Sequence, residues 1–173
     1  MSVFAVYESS TGIVVGAVKA IGTPVPAADA LVGAALPVRL SLKAGDLVTL
    51  SLGGRELAVH EADDQPAVFL DPLAYGVTRV SGQPAKPALK ELAELKVPVE
   101  FDPTGLLVKL PGVADADTAV FALVSEGPDT LPVAGVVKKD DDHVSLPLTV
   151  STGAHAVLVL VAGWAGRLVE VAK

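Results

Sequence analysis

The stretch that decides the fold is VFALVSEGPDTLPVAGVVK, at residues 120–138. An apolar run, VFAL at 120–123, precedes a polar turn that contains Gly and Pro, and VAGVVK at 133–138 follows it. Short runs rich in Val on either side of such a turn are typical of an antiparallel hairpin. The stretch therefore predicts two paired strands.

The same pattern occurs at the start of the chain, and further matches follow it in the same order. VFAV (3–6), VVGAVK (14–19), LPVRLS (36–41) and LVTL (47–50) match VFAL (120–123), VAGVVK (133–138), LPLTVS (146–151) and VLVL (157–160). Four strand-like segments in one order indicate an internal duplication. Chance alignment of short Val/Leu segments is the alternative.

The two halves differ in what surrounds these matches. The second copy is preceded by segments at 97–103 and 106–110, whereas similar residues follow the first copy at 68–72 and 77–80. An Asp-Pro pair occurs in both, at 71–72 and 102–103. One interpretation is that the first unit is a circular permutation of the second. The other is that 66–82 is a simple connecting pair of strands.

Seven short segments at regular spacing in the second half indicate a Greek-key sandwich. They lie at 97–101, 105–110, 118–124, 131–138, 143–150, 155–162 and 167–172. We expect an all-β protein of two related antiparallel Greek-key units, the first over 1–82 and the second over 97–173. A helical linker over 83–96 joins them in this prediction.

Local patterns predict individual elements. Gly53-Gly54 suits a two-residue turn and predicts a hairpin over 47–59. The leucines at 89, 92 and 95 lie three apart with charged residues between them, which predicts the linker helix. A short helical turn is expected within 24–31. The apolar run 156–164 is far shorter than a membrane helix, and we interpret it as a strand that is central or covered by another subunit.

The strand number and spacing over 97–173, and more loosely over 1–82, resemble immunoglobulin-like and fibronectin type III-like modules. The Cys pair of antibody domains is absent, and Trp164 lies near the end of the chain instead of on the third strand. This likeness implies an architecture and leaves function open. The opening residues Val6-Tyr7-Glu8, Thr11-Gly12 and Val14 resemble the strand–turn–strand openings of bacteriophage tail and virion accessory proteins. That resemblance implies a tail or capsid-decorating component.

The composition disfavours several classes of function. The 173 residues carry a net charge of −7 and have no basic stripe, which argues against binding to nucleic acid. With no cysteine there is no disulfide, thiolate zinc site or cysteine nucleophile. The first residues lack a basic segment, so we expect no secretory signal, synthesis in the cytoplasm and no membrane anchor.

No catalytic constellation is evident in the sequence. His60 and His143 each lie beside acidic residues, which suits either a weak cation site or a solvated acidic turn, and the turn is the preferred interpretation. His155 begins an apolar strand and is interpreted as a strand-end residue. The Gly-rich points lie in predicted turns, away from the strand–helix junctions of phosphate loops. We expect no enzyme activity, cofactor or metal.

The apolar content is 51%, more than two small sandwiches are expected to bury, and excess apolar surface often forms an interface. The sequence therefore predicts a structural protein of a symmetric assembly, a homo-oligomer with protein partners, most specifically a phage virion or tail-like component. Trp164, Tyr7 and Tyr75 are the candidate interface residues. For Trp164 the alternative is a ring that caps its own hairpin. The alternative function is a surface adhesin or carbohydrate-binding module.

Overall fold

Short strands make up most of the chain in the computed structural model, which describes residues 2–21, 27–33, 36–53, 57–62, 65–78 and 88–173. The strands are β1 (Ser2–Glu8), β2 (Val14–Ala20), β3 (Pro37–Ser41), β4 (Leu47–Ser51), β5 (Leu57–Ala62), β6 (Tyr75–Thr78), β7 (Ala88–Glu91), β8 (Val99–Phe101), β9 (Gly105–Lys109), β10 (Thr118–Glu126), β11 (Asp129–Val137), β12 (His143–Pro147), β13 (Ala154–Val161) and β14 (Arg167–Ala172). An α-helix, α1, spans Ala28–Val32, and 3-10 turns span Pro66–Phe69 and Pro72–Ala74. The predicted all-β class is confirmed.

The strands form several small antiparallel sheets. A four-stranded sheet has the order β11-β10-β13-β14, and a three-stranded sheet has the order β12-β9-β8. A second three-stranded sheet has the order β2-β1-β5, and the pairs β3-β4 and β6-β7 form ribbons. We call the four-stranded sheet the central sheet, because other strands pack on both of its faces.

The central sheet divides two hydrophobic cores. Side chains alternate along β13, which is buried from His155 to Val161. Val157, Val159 and Val161 pack with residues of β8, β9 and β12 in what we call the lower core. Ala156, Leu158 and Leu160 pack on the opposite face, in the upper core, with residues of β1, β2 and β4. The prediction that this strand is central is confirmed, and its cover comes from the same chain.

A third cluster, the outer core, lies on the other face of the β2-β1-β5 sheet. Val3, Ala5 and Val14 contribute to it from that sheet. Val68 of the first 3-10 turn and Leu89 of β7 cover them. The molecule is thus layered, with the central sheet between two other sheets.

The two predicted hairpins with matching sequences are both present. β10 pairs with β11 over the full length of both strands, and β1 pairs with β2 with one irregularity between Val6 and Tyr7. All seven strands expected in the second half occur at the expected places. A short helix occurs at Ala28–Val32, beside the expected 24–31, of which 24–26 lie outside the described residues.

The predicted hairpin over 47–59 is wrong. β4 pairs with β3, and β5 pairs with β1, where Val59 lies opposite Val6. The glycine signal is local, whereas strand pairing is decided by which neighbours bury a strand's apolar face. Gly54 itself lies outside the described residues.

The predicted linker helix is also wrong over its described part. Ala88–Glu91 forms β7, paired with β6, and the chain continues without helix to Pro98. A helix would have placed the three leucines on one face. Instead Leu89 lies in the outer core, Leu92 packs on the upper core and Leu95 lies in the lower core. An extended segment that passes three cores in turn, with one leucine entering each, also has leucines three residues apart. Residues 83–87 lie outside the described part.

The strand expected at 68–72 is wrong, because two prolines initiate 3-10 turns there. The strand expected at 77–80 occurs as β6 up to Thr78, and the rest lies outside the described residues. β6 pairs with β7 and contacts the turn between β1 and β2 through a bridge between Ile13 and Gly76. Residues 66–78 therefore cover the N-terminal sheet from outside.

Candidate functional site

Acidic side chains that accept several hydrogen bonds close two of the turns in this protein. The Glu8 side chain is almost fully buried at the end of β1. Its carboxylate accepts hydrogen bonds from the backbone N–H groups of Ser10 and Thr11 and from both hydroxyls, at 2.7–3.2 Å. Burial opposes ionisation, but these hydrogen bonds outweigh it and hold the pKa of Glu8 below its ordinary value.

The Asp-Pro corner at 102–103 is built in the same way. One Asp102 oxygen accepts from the hydroxyl and N–H of Thr104 and from the Gly105 N–H, at 2.6–2.8 Å. The Thr104 hydroxyl contributes most to lowering the pKa of Asp102 to about 2. A carboxylate with such a low pKa stays ionised and serves poorly as a general acid near neutral pH.

His155 is buried between three elements. Its Nδ1 lies 2.6 Å from the Ser125 carbonyl and its Nε2 lies 3.0 Å from the Ser151 carbonyl. The Phe101 ring meets it edge-on, with 5.5 Å between centroids. The ring thus ties β13 to β10 and to the preceding loop, which matches its interpretation as a strand-end residue.

The other two histidines lie apart from each other. His143 Nδ1 lies 2.7 Å from Asp142 Oδ1 on the surface, and this contact lowers the pKa of Asp142. His60 lies in β5, in the N-terminal sheet. Within the described ranges, no three acidic or histidine side chains are grouped so that they could hold a metal ion.

The structure places the predicted interface residues in two different regions. Tyr7 and Tyr75 are half-buried and both pack on the outer core. Trp164 lies in the turn between β13 and β14 and packs on the lower core. The three rings therefore do not form one surface, and no role as interface anchors follows from their positions alone.

Trp164 lines an open groove of about 500 Å³. Its other wall is the loop from Leu110 to Ala116, in which the Val113 side chain is 66% exposed. Thr118 and Asp115 bring polar groups to this groove. An aromatic ring with a few polar neighbours can hold a small ligand.

A second groove, of about 440 Å³, lies where β14 meets the 91–95 segment. Asp71, Glu91 and Glu94 line it together with Arg167. The Arg167 guanidinium donates to the carbonyls of Leu95 and Val97, so this cation fixes the segment in place. Sequence reasoning missed this groove because its walls come from segments far apart in the chain.

No helix within the described ranges has the length and apolar character needed to cross a bilayer. Comparison with known protein families, with curated proteins and with solved structures finds no match to this chain.

Proposed function

We propose that this protein is a non-catalytic structural component of a symmetric assembly. The main support for the proposal is that polar side chains held by hydrogen bonds stabilise the fold itself. Glu8, Asp102 and His155 bind backbone groups that close turns and fix strand ends. Side chains engaged in this way stabilise loops and are poorly placed to react with a substrate.

The surface supports a role in protein contacts. Large apolar side chains remain exposed at Leu70 (90%), Ile21 (75%) and Leu47 (63%). The central sheet buries its strongly apolar strand within the chain, so apolar surface for a partner comes from residues such as these and from the sheet edges. Apolar surface favours association where it forms a continuous patch, so the support for protein contacts comes mainly from the sheet edges.

The finer proposal is a phage virion or tail-like particle component with two related immunoglobulin-like Greek-key units over 1–82 and 97–173. The opening resemblance at residues 6–14 supports it, and that segment does form a strand–turn–strand hairpin. Portal, tube or sheath genes beside the gene for this chain would support the assignment. Genes for cell-surface display in that position would contradict it.

Light scattering of the purified full chain over a wide concentration range tests the general proposal. A structural component is expected to form a closed oligomer or a polymer. A monomer at every concentration, with no association, would count decisively against it.

The Trp164 groove favours one second candidate, a carbohydrate-binding module. Sugar sites pair an aromatic ring with hydrogen-bonding groups, and the groove brings Thr118 and Asp115 to the ring. Binding on a glycan array that Trp164→Ala removes, while urea unfolding shows that the variant is still folded under the array conditions, would favour this function. An array without signal would exclude it for the glycans displayed.

A further inference from the structure

The outer strand of the central sheet, β11, has one open side. It spans Asp129–Val137 and pairs with β10. Within the described part of the chain, no strand pairs with its other side. The eight residues 130–137, TLPVAGVV, contain no charged group. A long, uncharged edge strand is a template for pairing with another strand.

The register shows which backbone groups face the open side. Along an antiparallel strand, the backbone N–H and C=O groups of every second residue are hydrogen-bonded to the neighbouring strand. The N–H and C=O groups of the residues between them point away from that neighbour. Pro132 lies opposite Leu123 and has no N–H to donate, so it belongs to a pair pointing away. The Ala119 carbonyl, opposite Val136, accepts instead from Ala162 on the β13 side. The N–H and C=O groups of Thr130, Ala134 and Val136 therefore point outward.

Part of the face of β11 that carries these residues is uncovered. β4 contacts the start of this face, where the Ser51 N–H donates to the Thr130 hydroxyl at 3.2 Å. Pro132, Ala134 and Val136 are exposed, and Val136 keeps 40% of its accessible surface. Their neighbours Leu131, Val133 and Val137 point the other way, into the lower core. The strand is thus anchored on one face, while at Pro132, Ala134 and Val136 the other face is exposed and the edge is open.

We propose that a second copy of this chain pairs its own β11 with this edge in antiparallel fashion, so that the two four-stranded sheets become one. The inference rests on the proposed function, since it specifies how the symmetric assembly is made. Pairing centred on Ala134 brings the outward-pointing backbone N–H and C=O groups of one β11 opposite those of the other. It also keeps the faces that pack on the lower core on the same side of the joined sheet.

Charge at the strand ends selects this partner and this direction. Asp129 begins β11, and Lys138 and Lys139 follow it. Antiparallel pairing about Ala134 brings the Asp129 end of each copy towards the end of the other copy that carries Lys139. Lys138 already pairs with Asp117 of its own chain at 2.7 Å. Parallel pairing would place Asp129 beside its own equivalent and the lysines beside theirs. Opposite charges across strands stabilise a pair, and like charges destabilise it.

Ala134→Pro in the full chain tests the pairing. The Ala134 N–H points away from β10, so the substitution leaves the intrachain ladder intact, as Pro132 already does. Because Ala134 of each copy donates to the other, the substitution removes two intermolecular hydrogen bonds at once. We therefore expect the dimer affinity measured by sedimentation to fall about tenfold. Asp129→Lys should also weaken the dimer, and Asp129→Lys combined with Lys139→Asp should restore it.

Hydrogen exchange by NMR gives an independent readout. The amides of Thr130, Ala134 and Val136 should gain protection as concentration rises, whereas those of Leu131, Val133 and Gly135 are protected at every concentration. A dimer that survives Ala134→Pro and shows no such alternation would overturn the β11 pairing and leave the proposed assembly role intact. A wild-type chain that stays monomeric would overturn both.

Discussion

At the scale of the residue, Glu8 shows how much a single buried carboxylate contributes to this fold. It holds the turn between β1 and β2 through four hydrogen bonds from Ser10 and Thr11. The sequence predicted the polar turn, because Glu8-Ser9-Ser10-Thr11-Gly12 separates two apolar strands. It could not predict that the acid would be buried, since burial depends on the sheets packed around it.

Glu8→Gln tests this role. A buried carboxylate that accepts several hydrogen bonds contributes more than a neutral acceptor, and we expect the free energy of unfolding to fall by about 2 kcal/mol at neutral pH. Glu91→Gln is the matched control, because Glu91 is exposed in β7. Urea unfolding of both variants measures the difference, and equal stabilities would refute the role.

The same group predicts a pH dependence. The pKa of Glu8 is lower in the folded protein than its ordinary value of 4.5, so the unfolded chain takes up a proton first as the pH falls. The stabilisation is therefore complete above about pH 4.5 and declines below it, as pH approaches the folded pKa. The gap in stability between wild type and Glu8→Gln should shrink on acidification. A gap that stays constant from neutral to acid pH would contradict this.

At the scale of the element, the errors of sequence reasoning share one cause. The leucines at 89, 92 and 95 have helical spacing, yet each reaches a different core. The Gly53-Gly54 signal predicted a hairpin, yet β5 pairs with β1. Periodicity and turn residues indicate local preference only. These segments lie next to several sheets, and the sheet that buries their apolar residues decides their structure. Over 97–173, where consecutive strands form two facing sheets, the local signals were sufficient.

Two glycines that approach the same leucine give an element-scale prediction. A Cβ at Gly105 would lie 1.9 Å from the backbone oxygen of Leu146, so β9 and β12 would have to separate. A Cβ at Gly135 would lie 2.5 Å from a methyl group of the same residue, which is fully buried but can shift. We expect Gly105→Ala to cost about 3 kcal/mol or more and Gly135→Ala to cost about 1–2 kcal/mol.

Gly112→Ala is the matched control, because a Cβ there meets no atom within 4 Å. Its effect on stability should lie within about 0.5 kcal/mol. Thermal unfolding of the three variants gives the ranking. A Gly105→Ala protein as stable as Gly112→Ala would show that β9 and β12 leave room for a side chain at this point.

At the scale of the whole molecule, the two halves of the chain share a core. The sequence predicted separate sandwiches with a linker, because each half contains its own set of strands. The upper core instead combines Val6 and Ile13 from the first half with Phe121 and Leu158 from the second. The apolar run at 156–164 indicated a strand buried on both faces, but the sequence could not say whether this chain or another would cover it.

The shared core predicts that the two halves unfold together. Phe121 is fully buried on the upper face of β10, and Phe121→Ala should cost about 3–5 kcal/mol. Since β10 also carries Val120 and Ala122 into the lower core, the loss should appear equally in the protection of β1 and β9 amides in native-state hydrogen exchange.

A fragment of residues 97–173 should aggregate, because Phe121, Leu158 and Leu160 would lose their cover. Loss of protection confined to β1, β2 and β5, with a stable monomeric fragment, would show instead that the second unit folds independently.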